Sequence, residues 1–274
     1  MPTFAQRLNT QLASYKTKRL GEIKPGTFVY RGKEREYEHI LPLEQKWLNL
    51  LQPFRHDIQQ YLEDRPSIKL HRYFHHLNSS QAFALNLFFP YFEKGGAPQL
   101  LAAMGSTGNL LSWEPECIVD VAEGTNVDVA WQSGGVRTFC EVKLSEQEFG
   151  TAKNDEAHRD KLQRIYKPIL GGACAPELLE AENFFRNYQL FRNVWLIARE
   201  PGAQLVFFAP RANTKLWRQL TAFLELLAGP LATRVRAVAV EDAINLLAVS
   251  AQLPALYGYA ELLREKYVLA AEAE

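Results

Sequence analysis

In residues 3–104, the hydrophobic positions recur mainly at the spacing of an α-helix. Asn78 and Ser79 are candidate N-caps, and Gln81, three residues after Asn78, would complete a capping box. The segment after this cap would be apolar around nearly the whole circumference of a helix, which predicts that the helix is buried. The pattern predicts, in order, a helix over 3–18, loop and short extended pieces over 20–40, an amphipathic helix over 43–62, a buried helix from 78 or 79 to about 92, and a short helix over 98–104.

The second part of the chain alternates between extended and helical patterns after an opening β region. Such alternation predicts an α/β (α+β) fold with a mixed central sheet and helices on both faces. We interpret residues 1–274 as a single domain, with 1–65 as a helical N-terminal arm on a core formed by 66–274. The predicted elements are strands at 112–121, 127–131, 136–144, 204–209 and 234–240, helices at 157–165, 177–186, 214–227, 241–249 and 254–267, and a segment at 188–199 that is either a helix or a helix running into a strand.

Two of these strands form a predicted hairpin that carries the candidate chemistry. The pair Gly134-Gly135 between alternating apolar runs is a strong turn signal. With a two-residue turn, the register places Asp128 directly opposite Glu141, on the same face of the sheet. Lys143 lies two residues beyond Glu141 and points to that face as well. The opposite face carries apolar residues at positions 127, 129, 131, 140 and 142.

Two adjacent carboxylates repel each other, so a positive charge is expected between them. A hard divalent cation with oxygen ligands, Mg²⁺ or Mn²⁺, fits Asp128 and Glu141 best. The alternative is an exposed hairpin on which Glu141 and Lys143 are surface charges, because a Glu-x-Lys string arises readily by chance.

Composition narrows the class of protein. The chain has 274 residues, 47% hydrophobic and 23% charged, with a formal net charge of zero, which is ordinary for a globular protein. Its three cysteines have no CxxC spacing, which favours a reducing, cytoplasmic compartment. We expect neither a signal peptide nor a membrane-spanning helix, since the N-terminus has no apolar h-region and no run of 18 apolar residues occurs.

Although the net charge is zero, charged residues are distributed unevenly along the chain. A basic cluster follows the acidic hairpin and would suit a groove that tracks a nucleic-acid backbone. The other interpretation is a solvated helix face. The cluster consists of Lys153, Arg159, Lys161, Arg164 and Lys167.

The hairpin sequence TNVDVAW–SGG–VRTFCEVKLSEQEFG resembles the core of the PD-(D/E)xK nuclease superfamily. The similarity is closest to a restriction-endonuclease-like branch of bacterial proteins. The segments RYFHHLNSSQAFALNLFFPYF, NYQLFRN and FFAPRAN look like further parts of that branch. Together these pieces spread over residues 72–213. One departure is Val127, which stands where the superfamily's name has proline.

This resemblance implies a metal-dependent nuclease that hydrolyses phosphodiester bonds, with DNA as the expected partner. Asp128 corresponds to the motif Asp, Glu141 to the (D/E) and Lys143 to the Lys. Asp128 and Glu141 would hold the metal, and Lys143 would either orient and deprotonate water or act as a cation. The superfamily's N-terminal helix often adds another acid, for which Gln81 is our candidate replacement. Glu148 is either a further metal-site acid or a surface acid before a turn.

Further residues are candidates for substrate contact. Gln189 could reach the metal site or a phosphate, and Arg192, at i+3 on the same helical face, could contact the substrate backbone. Lys153, Arg159 and Lys161 are the candidates from the basic cluster. Many nucleases of this fold act as dimers, so a homodimer is a further expectation.

Two other functions compete with the nuclease interpretation. One is a catalytically silent nucleic-acid-binding or scaffolding protein of the same fold, against which the intact Asp128, Glu141 and Lys143 argue. The other is an α/β protein whose hairpin charges are merely exposed. A divalent-metal titration separates that last interpretation from the first, because adjacent buried acids should gain stability from Mn²⁺.

Overall fold

A computed structural model describes residues 2–120, 123–250 and 253–269 of the chain. Its described strands form a two-stranded hairpin sheet and a five-stranded central sheet. In chain order they are β1 Gly26–Tyr30, β2 Lys33–Tyr37, β3 Leu110–Asp120, β4 Thr125–Ser133, β5 Val136–Val142, β6 Gln204–Ala209 and β7 Val235–Ala239.

Helices precede the central sheet and alternate with its last strands. Short 3-10 or π segments extend or connect several of them. In chain order the α-helices are α1 Phe4–Tyr15, α2 Arg55–Glu63, α3 Ser80–Glu93, α4 Ala97–Ala103, α5 Glu156–Lys161, α6 Lys167–Leu170, α7 Ala181–Arg186, α8 Tyr188–Arg199, α9 Thr214–Leu224, α10 Gly229–Ala232, α11 Val240–Val249 and α12 Tyr259–Tyr267.

The central sheet has the order β3-β4-β5-β6-β7 and is mixed. The first three strands form an antiparallel meander, and β6 and β7 join it in parallel. Parallel neighbours need crossover connections, which the helices between β5, β6 and β7 supply. The predicted mixed sheet flanked by helices is confirmed, and the architecture is that of a restriction-endonuclease-like fold.

The sheet separates two hydrophobic clusters. One face, with Val129, Cys140 and Val142, packs against α3 and the terminal helices. The other face, with Phe139 and Phe207, packs against α8 and α9. Successive strand residues alternate between these faces, so the apolar side of the hairpin lies against α3. Val127, expected on that side, belongs instead to the cluster under α8.

The N-terminal segment is tied into the core by a buried polar network centred on Asn86 of α3. The Asn86 amide nitrogen donates to the Asn49 carbonyl at 3.1 Å, and its Oδ1 accepts the Leu51 N–H at 2.8 Å. Lys266 of α12 donates to the same Asn49 carbonyl and to its side chain. Residues before 65 therefore share one core with α3 and α12. The boundary near residue 65 stays a prediction.

Pro90 lies inside α3, so one carbonyl of this helix lacks the backbone N–H that would normally donate to it. A proline has no N–H for the carbonyl four residues earlier, which here belongs to Asn86. The Tyr259 hydroxyl of α12 donates to that carbonyl at 2.7 Å. A helix that is buried along nearly all its length thus keeps its backbone satisfied through a neighbouring helix.

The single helix predicted over 43–62 is wrong. The structure has a 3-10 segment at Leu43–Asn49, a second at Gln52–Phe54, and α2 from Arg55. Leu50 and Leu51 between them are extended. Pro53 has no N–H to donate to the Asn49 carbonyl, so an unbroken α-helix cannot pass this point. The Asn49 carbonyl accepts hydrogen bonds from Asn86 and Lys266 instead.

Most of the other predicted elements lie close to the observed ones, but the helices predicted over 177–186 and 254–267 are each interrupted. Glu180 is extended between a 3-10 segment and α7, and Gly258, in the left-handed conformation, precedes α12. The extended pieces over 20–40 are the β1–β2 hairpin, and the undecided segment at 188–199 is a helix throughout. Ser79 caps α3 by accepting the Ala82 N–H. Residue 121, the predicted end of β3, lies outside the described residues.

Candidate active site

The hairpin has the register that the sequence predicts. Gly134 and Gly135 both have positive φ, as a two-residue turn of this kind requires. The pairs run from Ser133 opposite Val136 to Val129 opposite Cys140. Continued by one residue, this register sets Asp128 across from Glu141. Asp128 Oδ2 accepts the Val142 N–H at 2.6 Å, so the side chain spans the gap between the two strands.

Glu141 and Lys143 form a buried ion pair. The Lys143 Nζ lies 2.8 Å from Glu141 Oε1, and the two residues are 8% and 3% exposed, respectively. The Lys143 N–H donates to the Phe208 carbonyl at 2.8 Å, which extends the β5–β6 pairing to this residue. The interpretation of these charges as an exposed hairpin surface is therefore wrong, since α8 covers this face of the sheet.

Helix α8 supplies two amide donors to the same carboxylate. Gln189 Nε2 donates to Glu141 Oε1 at 2.5 Å, and Asn193 Nδ2 donates to Glu141 Oε2 at 2.9 Å. The two residues are spaced i, i+4 and so share one helical face. Gln189 is where the sequence interpretation expected it. Asn193 was missed, although its place in NYQLFRN one turn after Gln189 was a usable signal.

Glu116 is a third acid of the site that sequence reasoning missed. In the β3–β4 pairing, Pro115 faces Val129 and Cys117 faces Val127, so Glu116 lies at the level of Asp128. Its φ of 52° is left-handed, a conformation that is uncommon for residues other than glycine. The Glu116 and Glu141 carboxylates both raise the pKa of Asp128. Acids on three neighbouring strands thus influence one another.

The pKa values of Asp128 and Lys143 are both raised, which disfavours the charged form of Asp128 and favours the charged form of Lys143. Burial first, and then the Glu141 carboxylate, raises the pKa of Asp128 well above its usual range. Burial lowers the pKa of Lys143, but the carboxylates of Glu141, Glu146 and Asp128 together raise it above its ordinary value. Lys143 is therefore held as an ammonium cation, and Asp128 has an excess of negative charge around it.

A cavity of about 760 Å³ opens beside Asp128. Its acidic floor contains Glu116, Asp128 and Glu146. One wall of the cavity is formed by most of residues 69–80, a segment that we name the strap. The strap carries Lys69 and Arg72 and leads into the N-terminus of α3. Acidic and basic residues thus line the same cavity.

Gln81 lines the cavity but its amide binds the strap. Its Oε1 accepts the His71 N–H at 2.8 Å, and its Nε2 donates to the Lys69 carbonyl at 2.9 Å. The expected capping box with Asn78 is wrong, because Ser79 is the cap and the Gln81 side chain is engaged elsewhere. A hydrogen bond from Gln81 also lowers the pKa of Glu116, whose burial raises it more. Gln81 therefore links the strap to the acidic floor.

The structure does not bring Glu148 to the cavity. Its side chain is 62% exposed and lies 3.7 Å from the Lys215 ammonium group. Glu146, two residues earlier, lines the cavity and accepts the Leu144 N–H at 2.7 Å. Asn213 holds this loop by donating to the Glu146 carbonyl at 2.6 Å. Of the two acids in SEQEFG, Glu146 is the one near Asp128.

The candidate substrate-contact residues lie in different surroundings in the structure. Gln189 reaches Glu141, whereas Arg192 is half-buried with an Nε that lacks a hydrogen-bond partner. Lys161 lies 3.0 Å from the nearly buried Glu123 carboxylate, and Arg159 donates to Asn154 at 2.7 Å. Lys153 is exposed. The structure therefore brings Gln189 to the acidic pair but leaves the basic cluster on an outer surface.

Asp128 and Glu141 offer carboxylate oxygens, which are the ligands that a hard divalent cation prefers. Among the described residues, no three His, Cys, Asp or Glu side chains form a group that could hold a metal ion. Mg²⁺, however, is usually bound through one or two carboxylates together with waters and substrate phosphates rather than by a complete protein cage. Asp128 and Glu141, with the excess negative charge around Asp128, fit that mode of binding.

Comparison with known proteins identifies the family. The family model described as Restriction Endonuclease associating with ARP matches residues 9–268. The chain belongs to this family. No curated protein and no solved structure matches it. The match spans the sheet, α8 and the strap, so the restriction-endonuclease-like family assignment covers the whole candidate site.

None of the described helices has the length and apolar character needed to cross a membrane.

Proposed function

We propose that this member of the restriction-endonuclease-like family is a metal-dependent nuclease of the PD-(D/E)xK type that hydrolyses phosphodiester bonds in DNA. One observation carries the proposal. Asp128, Glu141 and Lys143 converge on one face of a buried hairpin, and Gln189 and Asn193 orient the central carboxylate. A structural hairpin has no need of an ion pair and two amides directed at one carboxylate, because buried charge is expensive.

Asp128 and Glu141 would hold Mg²⁺ or Mn²⁺. When bound, such a cation would neutralise the two carboxylates and polarise a phosphodiester. The Val142 N–H keeps one Asp128 oxygen fixed, and the amides of Gln189 and Asn193 keep Glu141 in place. Side chains fixed in this way lose little freedom when a substrate arrives, which favours catalysis.

Lys143 lies beside the carboxylate that would hold the cation, with its Nζ 2.8 Å from Glu141 Oε1. The neighbouring carboxylates raise its pKa, and a cation bound to them would oppose that effect. We therefore retain both roles for Lys143, as a cation that stabilises charge on the phosphoryl oxygens and as a group that orients and deprotonates water. Gln81 acts as a positioning residue for the strap rather than as a metal ligand.

Arg192, Lys153 and Arg159 would contact the DNA backbone at a distance from the acidic pair, whereas Lys161 is already paired with Glu123. A homodimer and a cytoplasmic location stay predictions from the sequence.

The test is cleavage of supercoiled plasmid and of a labelled oligonucleotide with Mg²⁺ or Mn²⁺, and with EDTA as the blank. We expect metal-dependent cleavage by the wild type and its loss in Glu141→Gln and Lys143→Ala. Glu148→Gln and Lys215→Ala are matched controls, because they alter an exposed Glu–Lys pair nearby. Equal traces from wild type and Lys143→Ala would contradict the proposal and favour the silent nucleic-acid-binding alternative.

A further inference from the structure

The strap is held rigidly at both ends. The Gln81 amide bonds to its backbone at Lys69 and His71. Near its other end, the Asn49 amide donates to the carbonyls of Phe74 and His76 at 2.7 and 2.6 Å. Its side chains therefore keep their places without a ligand, and preorganisation of this kind favours binding.

Aromatic rings are concentrated on this wall of the cavity. Tyr73 lies at the centre, with ring centroids 5.2 Å from His71 and 4.9 Å from His76. The exposed Arg72 guanidinium lies over the Tyr73 ring, 4.3 Å from its centroid. A base can stack on an aromatic ring or on an arginine plane only when its own face is free.

Two buried side-chain atoms of the strap, His75 Nδ1 and His76 Nε2, have no hydrogen-bond partner. His76 is the one that lines the cavity, and it is only 9% exposed. Buried polar atoms are normally satisfied, so an unsatisfied one is a reason to look for a ligand. The N-terminus of α3, capped by Ser79, reaches the same cavity, and Lys69 supplies a cation. These groups suit a phosphate or the polar edge of a base.

We propose that the strap is a stacking platform for an unpaired nucleic-acid strand, with a base against Arg72 and Tyr73 and the adjoining phosphate at Lys69 and the N-terminus of α3. The proposal rests on the proposed nuclease function and adds the form of the substrate to it. A double helix covers the faces of its bases by stacking them on one another, so it cannot use this wall without first extruding a nucleotide.

The overall charge agrees with this mode of binding. Affinity for duplex backbone comes largely from many cations that displace counterions, and the chain has equal numbers of acidic and basic residues. Stacking contributes to single-strand binding without requiring net positive charge. A neutral protein with an aromatic and cationic wall is therefore better suited to an unpaired strand.

The experiment measures binding without cleavage. Fluorescence anisotropy in EDTA compares a labelled oligo(dT), an oligo(rU) and a duplex of equal length. The strap variant is Arg72→Gln/Tyr73→Leu. Its matched control is Tyr30→Leu/Arg31→Gln, which makes the same changes at an exposed tyrosine–arginine pair on the β1–β2 hairpin, where Arg31 lies 5.3 Å from the Tyr30 ring.

We expect the wild type to bind an unpaired strand at least about tenfold more tightly than the duplex, and the strap variant to lose about tenfold in affinity for the unpaired strand. The control variant should bind like the wild type. The oligo(dT) and oligo(rU) arms show which sugar is preferred. Arg72→Gln alone, at an exposed position, repeats the test without removing a ring from the packing, and we expect a smaller loss in the same direction.

Equal binding by wild type and strap variant, or equal binding of duplex and unpaired strand, would overturn the inference. Cleavage with Mg²⁺ is measured in parallel on the same proteins. If the wild type cleaves and the strap variant binds and cleaves equally well, the platform is refuted and the nuclease stands. If no protein cleaves but binding still depends on the strap, the nuclease is refuted and the platform stands.

Discussion

Gln189 and Asn193 lie one turn apart on α8 and each donates a side-chain amide hydrogen to a different oxygen of Glu141. This arrangement fixes the plane of the carboxylate as well as its position. It also couples the helix covering the sheet to the candidate chemistry. A change in how α8 packs would therefore alter the orientation of Glu141 before it altered the fold.

Replacing Asn193 with alanine should destabilise the protein. The substitution leaves a buried carboxylate oxygen without its donor, which costs about 1–3 kcal/mol in the free energy of unfolding. Urea denaturation measures the change. Asn245→Ala is the control, because Asn245 is exposed on α11 and also hydrogen-bonded, through its Oδ1 to Arg264. An unchanged midpoint for Asn193→Ala would contradict the role assigned to this amide.

The Glu141–Lys143 pair should behave as a buried ion pair. Removing either charge alone, in Glu141→Gln or Lys143→Met, leaves its partner buried and should cost about 3 kcal/mol or more. The double variant should lose clearly less than the sum of the single losses, because no charge is left unpaired. Urea midpoints for the four proteins of this cycle give the coupling. Additive losses would show that the two charges are independent.

Asp128→Asn should stabilise the metal-free protein at neutral pH. The pKa of Asp128 is raised by burial and by Glu141, so the folded state binds its proton more tightly than the unfolded chain does. The ionised form therefore weakens the fold: the loss of stability is complete above the raised pKa and declines as the pH falls from there toward the ordinary value of about 3.9. We expect Asp128→Asn to raise the free energy of unfolding by about 0.5–2 kcal/mol at pH 8, the usual range for a stabilising substitution, and the gain to shrink in acid. Thermal unfolding over pH measures it.

Mn²⁺ should reverse that order of stability. A site that binds metal only when folded gains about 2.7 kcal/mol at a free concentration one hundred times the dissociation constant. The wild type should gain thermal stability on titration with Mn²⁺, and Asp128→Asn should gain much less. Glu148→Gln, an exposed acid substitution, is the control and should respond like the wild type. Equal shifts in all three proteins would indicate metal binding elsewhere.

Acid should weaken the protein through its buried histidines. Burial, followed by the neighbouring histidines, lowers the pKa of His76 to about 3, and burial and Lys16 lower that of His39 to about 4. Unfolded histidines bind protons below about pH 6.5, so the stability held by the neutral rings is complete above that pH and is lost as the pH falls toward 4. For each of these histidines, the free energy of unfolding falls by up to about 1.4 kcal/mol for each unit by which the pH is lowered.

Urea midpoints at pH 7.5 and pH 5 measure this loss. His76→Gln should show a smaller difference between the two pH values than the wild type, because one proton acceptor of the unfolded chain is gone. His56→Gln, at an exposed position on α2, is the control and should keep the wild-type difference. An unchanged pH dependence in His76→Gln would contradict the assignment.

The hairpin was predictable because its geometry is local. Gly134 and Gly135 define the turn, and the two-residue period of a strand then sets every partner as far as Asp128 and Glu141. The suggestion that Gln189 reaches the site came instead from the family resemblance of NYQLFRN, and in the structure Gln189 donates to Glu141. Signals within a few residues of each other were sufficient only for the hairpin.

Other parts depend on contacts between distant segments. Glu116 reaches the level of Asp128 through pairing with another strand and through a left-handed backbone that no sequence pattern signals. Gln81 resembles a capping residue in sequence, yet its amide binds Lys69 and His71 in the folded protein. Tertiary hydrogen bonds outweighed the local preference. The helix break next to Pro53, by contrast, could have been predicted from the sequence, because a proline inside a helix lacks one hydrogen-bond donor.

The bond from Tyr259 to the Asn86 carbonyl has a consequence for synthesis of the chain. Proteins emerge from the ribosome N-terminus first, so α3 with its Pro90 is complete long before α12 exists. Until Tyr259 arrives, the central helix has a carbonyl that its own backbone cannot satisfy. Helix α12 is therefore required to close the core, and a chain truncated before it would expose part of α3, which is otherwise buried along nearly all its length, to aggregation.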